Sequence, residues 1–287
     1  MSIYNWVAKT IKLLVSGLSA ICPKKTRATT PSAPPILHQA TIIETQNQGI
    51  IQKGDSMPSK KLFNRDVFML IDQSGSMVRR DPEFNNNIRW KVLPEVIEGH
   101  VYRILNETSL DGDKVCEEIA LTFFSPNRPC DKIIYIEDTA QVPSVFDENQ
   151  PDSSTFITPT LEQVINQWFA NREANREGFI VIYTDGQFDD RDKFLNLIQT
   201  TSARLKSQDE LKIVIIGFGS ELNPKFYLEL DKNVRGFTDS KGLDCNIVVF
   251  DLLSKMPNII ELLNRQLENP AAGLPMWAKE QYPDLFT

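Results

Sequence analysis

The folded part of the chain opens with an apolar run that ends in an acidic, serine-rich loop: residues 67–77 are VFMLIDQSGSM. The β-branched and apolar residues 67–71 are typical of a strand that is buried on both faces, as the strands of a parallel sheet are. We expect this strand to end at Asp72. Because open α/β sheets bind ligands outside the carboxyl ends of their strands, the loop after Asp72 is the first place to look for a functional site.

Strand-like and helical segments alternate from this run to about residue 267. The further predicted strands are 115–124, 132–136, 179–184, 212–217 and 247–250. The predicted helices are 89–105, 159–169, 190–206, 224–230 and 254–267. This alternation predicts an α/β fold: a doubly wound, mainly parallel central sheet with helices on both faces. A proline-containing turn between the first two of those strands predicts a hairpin, and hence one antiparallel edge strand.

The composition divides the chain into four parts. Residues 1–22 are a predicted amphipathic helix, because polar residues recur in steps of three and four beside an apolar arc. Residues 23–60, rich in Pro, Thr, Ser and Lys, are a predicted flexible linker. Residues 61–268 form the predicted domain. Residues 269–287 are a C-terminal tail, whose aromatic side chains either dock on a partner or fold back over the domain.

The predicted N-terminal helix carries lysines inside its apolar stretch, at positions 9 and 12. These charges argue against a transmembrane span and against an ordinary signal peptide. Two interpretations remain open for this helix. It docks on an anionic membrane surface or in a partner's groove, or it packs on its own domain. We therefore expect a cytoplasmic protein, with a peripheral membrane contact as the option that this helix leaves open.

Charge and cysteine usage limit the class of protein. The formal net charge of −7 combines +5 over residues 1–43, which contain no acid, with −12 over the remainder. A body this acidic argues against nucleic-acid binding, which needs a basic face. The four cysteines, at positions 22, 116, 130 and 245, show neither a CxxC pair nor the spacing of a zinc site. We expect them to be reduced.

Side chains that bear oxygen lie in three loops that we place at the carboxyl edge of the sheet, at residues 72–76, 153–158 and 183–186. Two carboxylates with several hydroxyls make a hard oxygen site of low negative charge. Such a site suits Mg²⁺ or Mn²⁺ and does not suit zinc. A further acidic loop, at residues 109–113, could form a second oxygen site, but we interpret it as a solvated turn.

These three loops resemble the metal-ion-dependent adhesion site of the von Willebrand factor type A family. Asp72, Ser74 and Ser76 match the Asp-x-Ser-x-Ser pattern of its first loop. Thr158, in Thr-Pro-Thr, is similar to the threonine of its second loop, and Asp185 matches the aspartate of its third. The resemblance implies that the serines and Thr158 coordinate the ion directly. It also implies that the two aspartates hold the ion largely through water.

The resemblance covers roughly residues 62–267, and it departs from the family's pattern in the second loop. Phe156 and Ile157 stand where the family usually has two glycines. Thr155 is therefore an alternative to Thr158 as the middle ligand. A simpler interpretation also stands beside the metal site, in which Thr158 is only a helix cap.

The resemblance implies a Rossmann-like domain that binds proteins through its metal and is not an enzyme. An acidic residue of the partner would complete the coordination of the ion. The family's intracellular members often act as adaptors beside AAA+ ATPases or in stress and defence signalling. A metal-free structural scaffold is one alternative. A Mg-dependent hydrolase is less favoured, because haloacid dehalogenase-type enzymes need a second aspartate where this chain has Ser74.

Overall fold

The computed structural model describes residues 58–151, 154–173, 176–268 and 275–285. The predicted N-terminal helix and nearly all of the predicted linker lie outside these residues. Within them, no helix is both long enough and apolar enough to cross a membrane.

A six-stranded sheet forms the centre of the domain, and it confirms the predicted fold. Its strands are β1 (Arg65–Asp72), β4 (Ile119–Phe124), β5 (Ile134–Ile136), β6 (Glu177–Thr184), β7 (Leu211–Gly217) and β8 (Val248–Leu252). Their order is β5-β4-β1-β6-β7-β8. All neighbours are parallel except β4 and β5, so the single antiparallel strand is at the edge, as predicted. Two short strands, β2 (Arg80–Asp81) and β3 (Asn87–Ile88), form a separate hairpin.

Seven α-helices occur among the described residues. They are α1 (Arg89–Asn106), α2 (Val142–Asp147), α3 (Thr158–Asn171), α4 (Arg191–Ser202), α5 (Pro224–Val234), α6 (Ile259–Glu268) and α7 (Met276–Gln281). The sequence patterns did not predict α2, α7 or the small hairpin. These elements are too short to show a helical or strand period.

Two predicted elements begin at least four residues later than expected. The strand predicted from residue 115 begins at Ile119, because the exposed and charged Glu117 and Glu118 interrupt it. The helix predicted from residue 254 begins at Ile259. Asn258 precedes this helix and accepts a hydrogen bond from a backbone amide of its first turn, while a proline directly before Asn258 disfavours an earlier start.

The sheet separates two apolar cores. Alternate residues of β1 point to opposite faces, so that Met69 belongs to one core and Leu70 to the other. Helices α1, α2 and α6 cover the first face, and α3, α4, α5 and α7 contribute to the second. With both faces covered, the polar loops at the carboxyl edge are the natural place for a ligand.

The segment after residue 275 folds back on the domain. Ala278 of α7 is fully buried in the second core. The indole of Trp277 packs edge-on against Phe250 and donates a hydrogen bond to Asp251 Oδ1 at 2.9 Å. Of the two interpretations of the tail's aromatic residues, folding back is therefore the one that Trp277 follows.

Candidate metal site

Asp72 is the last residue of β1, and its carboxylate is fully buried. Its Oδ1 accepts a hydrogen bond from the Ser74 amide at 2.8 Å, and its Oδ2 accepts one from Thr184 Oγ1 at 2.6 Å. Thr184 ends the neighbouring strand β6. The carboxylate is therefore oriented from two sides, by its own loop and by the strand that pairs with β1.

The two serines lie in the turn directly after β1. Their hydroxyl oxygens are 2.9 Å apart, and Ser76 Oγ donates to Asp185 Oδ1 at 2.7 Å. Asp185 follows β6 directly and is almost fully buried. The structure thus brings four of the five predicted site residues into one hydrogen-bonded chain: Asp72, Ser74, Ser76 and Asp185.

A buried arginine occupies the other oxygen of Asp185. Arg89, the first residue of α1, donates from Nη1 to Asp185 Oδ2 at 2.8 Å. Its Nε donates to Asp81 Oδ2 at 2.7 Å. All three side chains are shielded from solvent. The guanidinium therefore leaves Asp185 Oδ1 as the carboxylate oxygen that faces the serines.

Thr158 is buried, and its hydroxyl has no hydrogen-bond partner. It is the first residue of α3, which Ile157 precedes as the N-cap residue. The interpretation of Thr158 as a helix cap was wrong, because the side chain of Asp190 takes that role. Asp190 accepts the amide of Thr158 at 2.8 Å and that of Ile157 at 3.2 Å. The Thr158 hydroxyl therefore makes no capping hydrogen bond to the helix.

The loop that carries Thr158 is attached to the same edge of the sheet. Ser125, which directly follows β4, donates from Oγ to the Ser154 carbonyl at 2.8 Å. The Phe156 amide donates to the Ser125 carbonyl at 3.0 Å. The hydroxyl of Thr155 lies 3.8 Å from the point that a Cβ on Gly186 would occupy, so Thr155 is close to the Asp185 loop. Both threonines remain candidates for the middle ligand.

Burial makes the two carboxylates of the site costly to ionise. It raises the pKa of Asp72 above its usual range, and the nearby negative charge of Asp185 adds to this shift. Burial also raises the pKa of Asp185, although hydrogen bonds from Ser76 and Arg89 oppose the change. A cation between the two would stabilise their charged forms. Together with the unpartnered Thr158 hydroxyl, this donor set fits a hard divalent cation.

The sequence analysis missed three polar side chains that support the site. Thr184, the last residue of β6, and Asp190, directly before α4, resemble ordinary strand-end and turn residues in sequence. Arg89 did have a signal: a cation in the first turn of a helix is unfavourable beside the helix dipole, so it requires anionic partners nearby. Only the fold shows that Asp81 and Asp185 are those partners.

His100, the acidic loop at residues 109–113 and the cysteines lie outside this site. His100 Nδ1 is 2.7 Å from the Tyr183 hydroxyl, so this histidine packs between α1 and β6. Ser109 Oγ accepts the amides of Asp111 and Asp113, which makes that loop a capped turn, as interpreted. The cysteines at 116, 130 and 245 are free, as expected. Among the described residues, no group of three or more His, Cys, Asp or Glu side chains could hold a metal, so the candidate site depends on its hydroxyls.

Comparisons with known proteins bear on the family. Residues 118–243 match the model of the von Willebrand factor type A domain, a range that includes Thr158 and Asp185 and starts after the Asp72 loop. No curated protein matches the chain.

Several solved structures are similar to the chain. The von Willebrand factor type A protein from Catenulispora acidiphila is 11% identical, with 73% of this chain and 42% of that chain covered and a TM-score of 0.44. The SpRpn10 VWA domain is 13% identical, with 70% of this chain and 94% of that chain covered and a TM-score of 0.46. The manganese-loaded Plasmodium vivax TRAP protein is 16% identical, with 68% of this chain and 71% of that chain covered and a TM-score of 0.45. This chain thus spans less than half the length of the Catenulispora protein. The family model and the sheet described above agree, and the chain contains a von Willebrand factor type A domain.

Proposed function

We propose that this domain is a metal-dependent protein-binding module. In this proposal Asp72, Ser74, Ser76, Thr158 and Asp185 hold Mg²⁺ or Mn²⁺, and an acidic residue of a partner protein completes the coordination of the ion. The domain would act as an adaptor in a larger complex, located in the cytoplasm.

One observation carries the proposal: a buried threonine hydroxyl without a partner lies at the same sheet edge as two buried carboxylates linked by serine hydroxyls. Leaving a buried hydroxyl unpaired costs about 1–3 kcal/mol, so such a group usually has a role. Oxygens of this kind are the ligands that Mg²⁺ prefers.

The chain's own residues would hold and orient the site. Thr184 and the Ser74 amide fix the carboxylate of Asp72, and Arg89 fixes that of Asp185. Asp72 is fully buried, whereas Ser76 is only partly buried, so a partner would approach from the serine side. When bound, the ion supplies an open coordination position for a carboxylate oxygen.

Binding is favoured over hydrolysis by what surrounds the serines. The Ser74 hydroxyl is shared with Ser76, and the Ser76 hydroxyl donates to Asp185, whose other oxygen is held by Arg89. Among the described residues, no histidine or lysine contacts either hydroxyl, and the carboxylate that Ser76 contacts is paired with Arg89, which lowers its basicity. The family resemblance directs the search for a partner to AAA+ ATPases and to stress or defence signalling proteins.

The test is a calorimetric titration of Mn²⁺ and Mg²⁺ into metal-stripped full-length protein. Thr158→Val is the informative variant, because it removes an unpaired hydroxyl without changing the shape of the side chain. We expect it to weaken metal binding at least about tenfold while leaving the thermal stability of the metal-free protein unchanged or higher. Thr155→Val is the matched control, and it decides between the two candidate ligands.

Asp72→Asn should abolish the same binding, and Asp113→Asn, in the exposed turn far along the chain, should leave it intact. A wild-type protein that takes up neither ion would refute the proposal in favour of the metal-free scaffold. If the ions bind, pull-downs with and without chelator would then show whether partners depend on the metal.

A further inference from the structure

We propose that the buried Arg89 weakens the metal site that it supports. Its guanidinium positions Asp185, while its positive charge lowers the affinity of the site for a divalent ion in the absence of a partner. This inference rests on the function proposed above, and it concerns a residue outside the set of candidate ligands.

Arg89 is held where its charge must act on the site. It is 1% exposed and contacts Asp185 Oδ2 directly, while Asp185 Oδ1 accepts the hydrogen bond of Ser76. An ion bound by the serines and Asp185 would therefore have a fixed cation just behind one of its carboxylates. Burial reduces the screening of this repulsion by solvent.

The arginine belongs to an oriented ion pair. Its partner Asp81 accepts the backbone amides of Glu83 at 2.9 Å and of Ser220 at 3.0 Å. The Arg89–Asp81 pair is neutral as a whole, with its positive end in contact with Asp185 and its negative end facing these amides. Arg89 Nη2 also lies 3.5 Å from Oε2 of Glu221, an exposed carboxylate that is itself paired with Arg79. At the metal site, the field of the pair is therefore that of the nearer, positive end.

The fold is built around this pair. Gly219 has a φ of +91°, and a Cβ at this position would lie 2.9 Å from Asp81 Oδ2 and 3.0 Å from Arg89 Nε. A glycine is needed both for the backbone conformation and for the close approach of the loop after β7. The pair thus lies under three segments: the small hairpin, the start of α1 and the loop after β7.

The positive charge of Arg89 would couple the binding of the metal to the binding of an acidic partner. A site that binds its ion weakly gains more from an added carboxylate than a site that is already neutral, because the new anion offsets the arginine as well as the ion. Metal and acidic partner would then strengthen each other's binding, as linked equilibria require.

The test compares Mn²⁺ affinity in wild type, Arg89→Gln and Asp81→Asn by calorimetry. Glutamine keeps an N–H donor for Asp185 and removes the charge. We expect Arg89→Gln to bind Mn²⁺ about tenfold more tightly than wild type and Asp81→Asn to bind it more weakly. If the pair is merely structural, breaking it from either side should weaken binding alike. Tighter Mn²⁺ binding by Arg89→Gln together with weaker binding by Asp81→Asn therefore supports the proposal. Equal or weaker binding by Arg89→Gln overturns it.

Two further comparisons keep the result decisive. If Arg89→Gln does not fold, the double variant Asp81→Asn/Arg89→Gln leaves no unpaired charge in the pair, and it should bind more tightly than Asp81→Asn alone. Failure of this double variant to fold, or to bind more tightly, overturns the proposal. The Asp72→Asn variant distinguishes a failure of the Arg89 proposal from a failure of the metal-site proposal. Wild-type binding that Asp72→Asn abolishes, with no gain in Arg89→Gln, refutes only the role of Arg89. Absence of binding in wild type and Arg89→Gln refutes the metal site itself.

Discussion

The pH dependence of stability offers a sharp test of how His100 is packed. Its Nδ1 lies 2.7 Å from the Tyr183 hydroxyl, and the two rings are 5.7 Å apart between centroids. Burial lowers the pKa of His100 to about 4, and the positive charge of Arg103 adds to this effect. In the folded protein the imidazole is therefore neutral down to a pH at which a histidine in the unfolded chain is already charged.

The direction and the size of this effect on stability follow from the pKa values of His100 in the folded and in the unfolded protein. An unfolded histidine titrates near pH 6.5, so the contribution of His100 is complete above that value and is lost as the pH falls towards about 4. At about pH 5 the loss is at most about 2 kcal/mol, since one pH unit corresponds to about 1.4 kcal/mol. The partial exposure of the residue makes this an upper bound.

The assay is urea unfolding of wild type and His100→Gln, followed by tryptophan fluorescence, at about pH 8 and about pH 5. Glutamine does not titrate and can still bond the Tyr183 hydroxyl. The wild type should lose up to about 2 kcal/mol more than the variant on acidification. Other groups that titrate between the two pH values contribute equally to both proteins and cancel. Parallel losses in the two proteins would refute the neutral state of His100 in the folded protein.

Three further predictions concern packing, and thermal unfolding checks each of them. Gly217→Ala should lose about 1–3 kcal/mol, because the new methyl would overlap the side chains of Leu222 and Phe250. Gly99→Ala is its control: it meets no atom within 4 Å and should gain about 0.4–1 kcal/mol, and similar effects at both positions would contradict the described packing. Trp277→Phe should cost about 1 kcal/mol by removing one of the two hydrogen bonds to Oδ1 of the buried Asp251, whereas no loss would mean that the C-terminal helix is not docked. Deleting residues 1–37 should leave the domain folded, and loss of the unfolding transition would assign the N-terminal segment to the core.

The local order of elements could be predicted from the sequence because each element carries its own signal. The apolar run of β1, the strand-like run of β6 and the helical spacing of α1 lie within single segments. Their alternation leaves few topologies besides a doubly wound sheet. The candidate ligands were predictable for the same reason, since Asp72, Ser74 and Ser76 form one short motif.

The supporting side chains could not be predicted in this way, because they come from distant parts of the chain. Arg89 reaches Asp185 across 96 positions, and Thr184 reaches Asp72 across 112. No local period or motif encodes such pairs. The short helix α2 and the return of Trp277 to Asp251 also depend on surfaces that exist only after the sheet has formed.

What the sequence by itself determined is therefore the kind of fold and the chemical nature of its polar edge. Only the tertiary structure decided which oxygens are already satisfied and which is free. It hydrogen-bonds Asp72 to Thr184, pairs Asp185 with Arg89, and leaves the Thr158 hydroxyl without a partner. The physical reason is that hydrogen bonding and burial are properties of neighbours in space, and the neighbours of this site come from loops that the chain brings together only by folding.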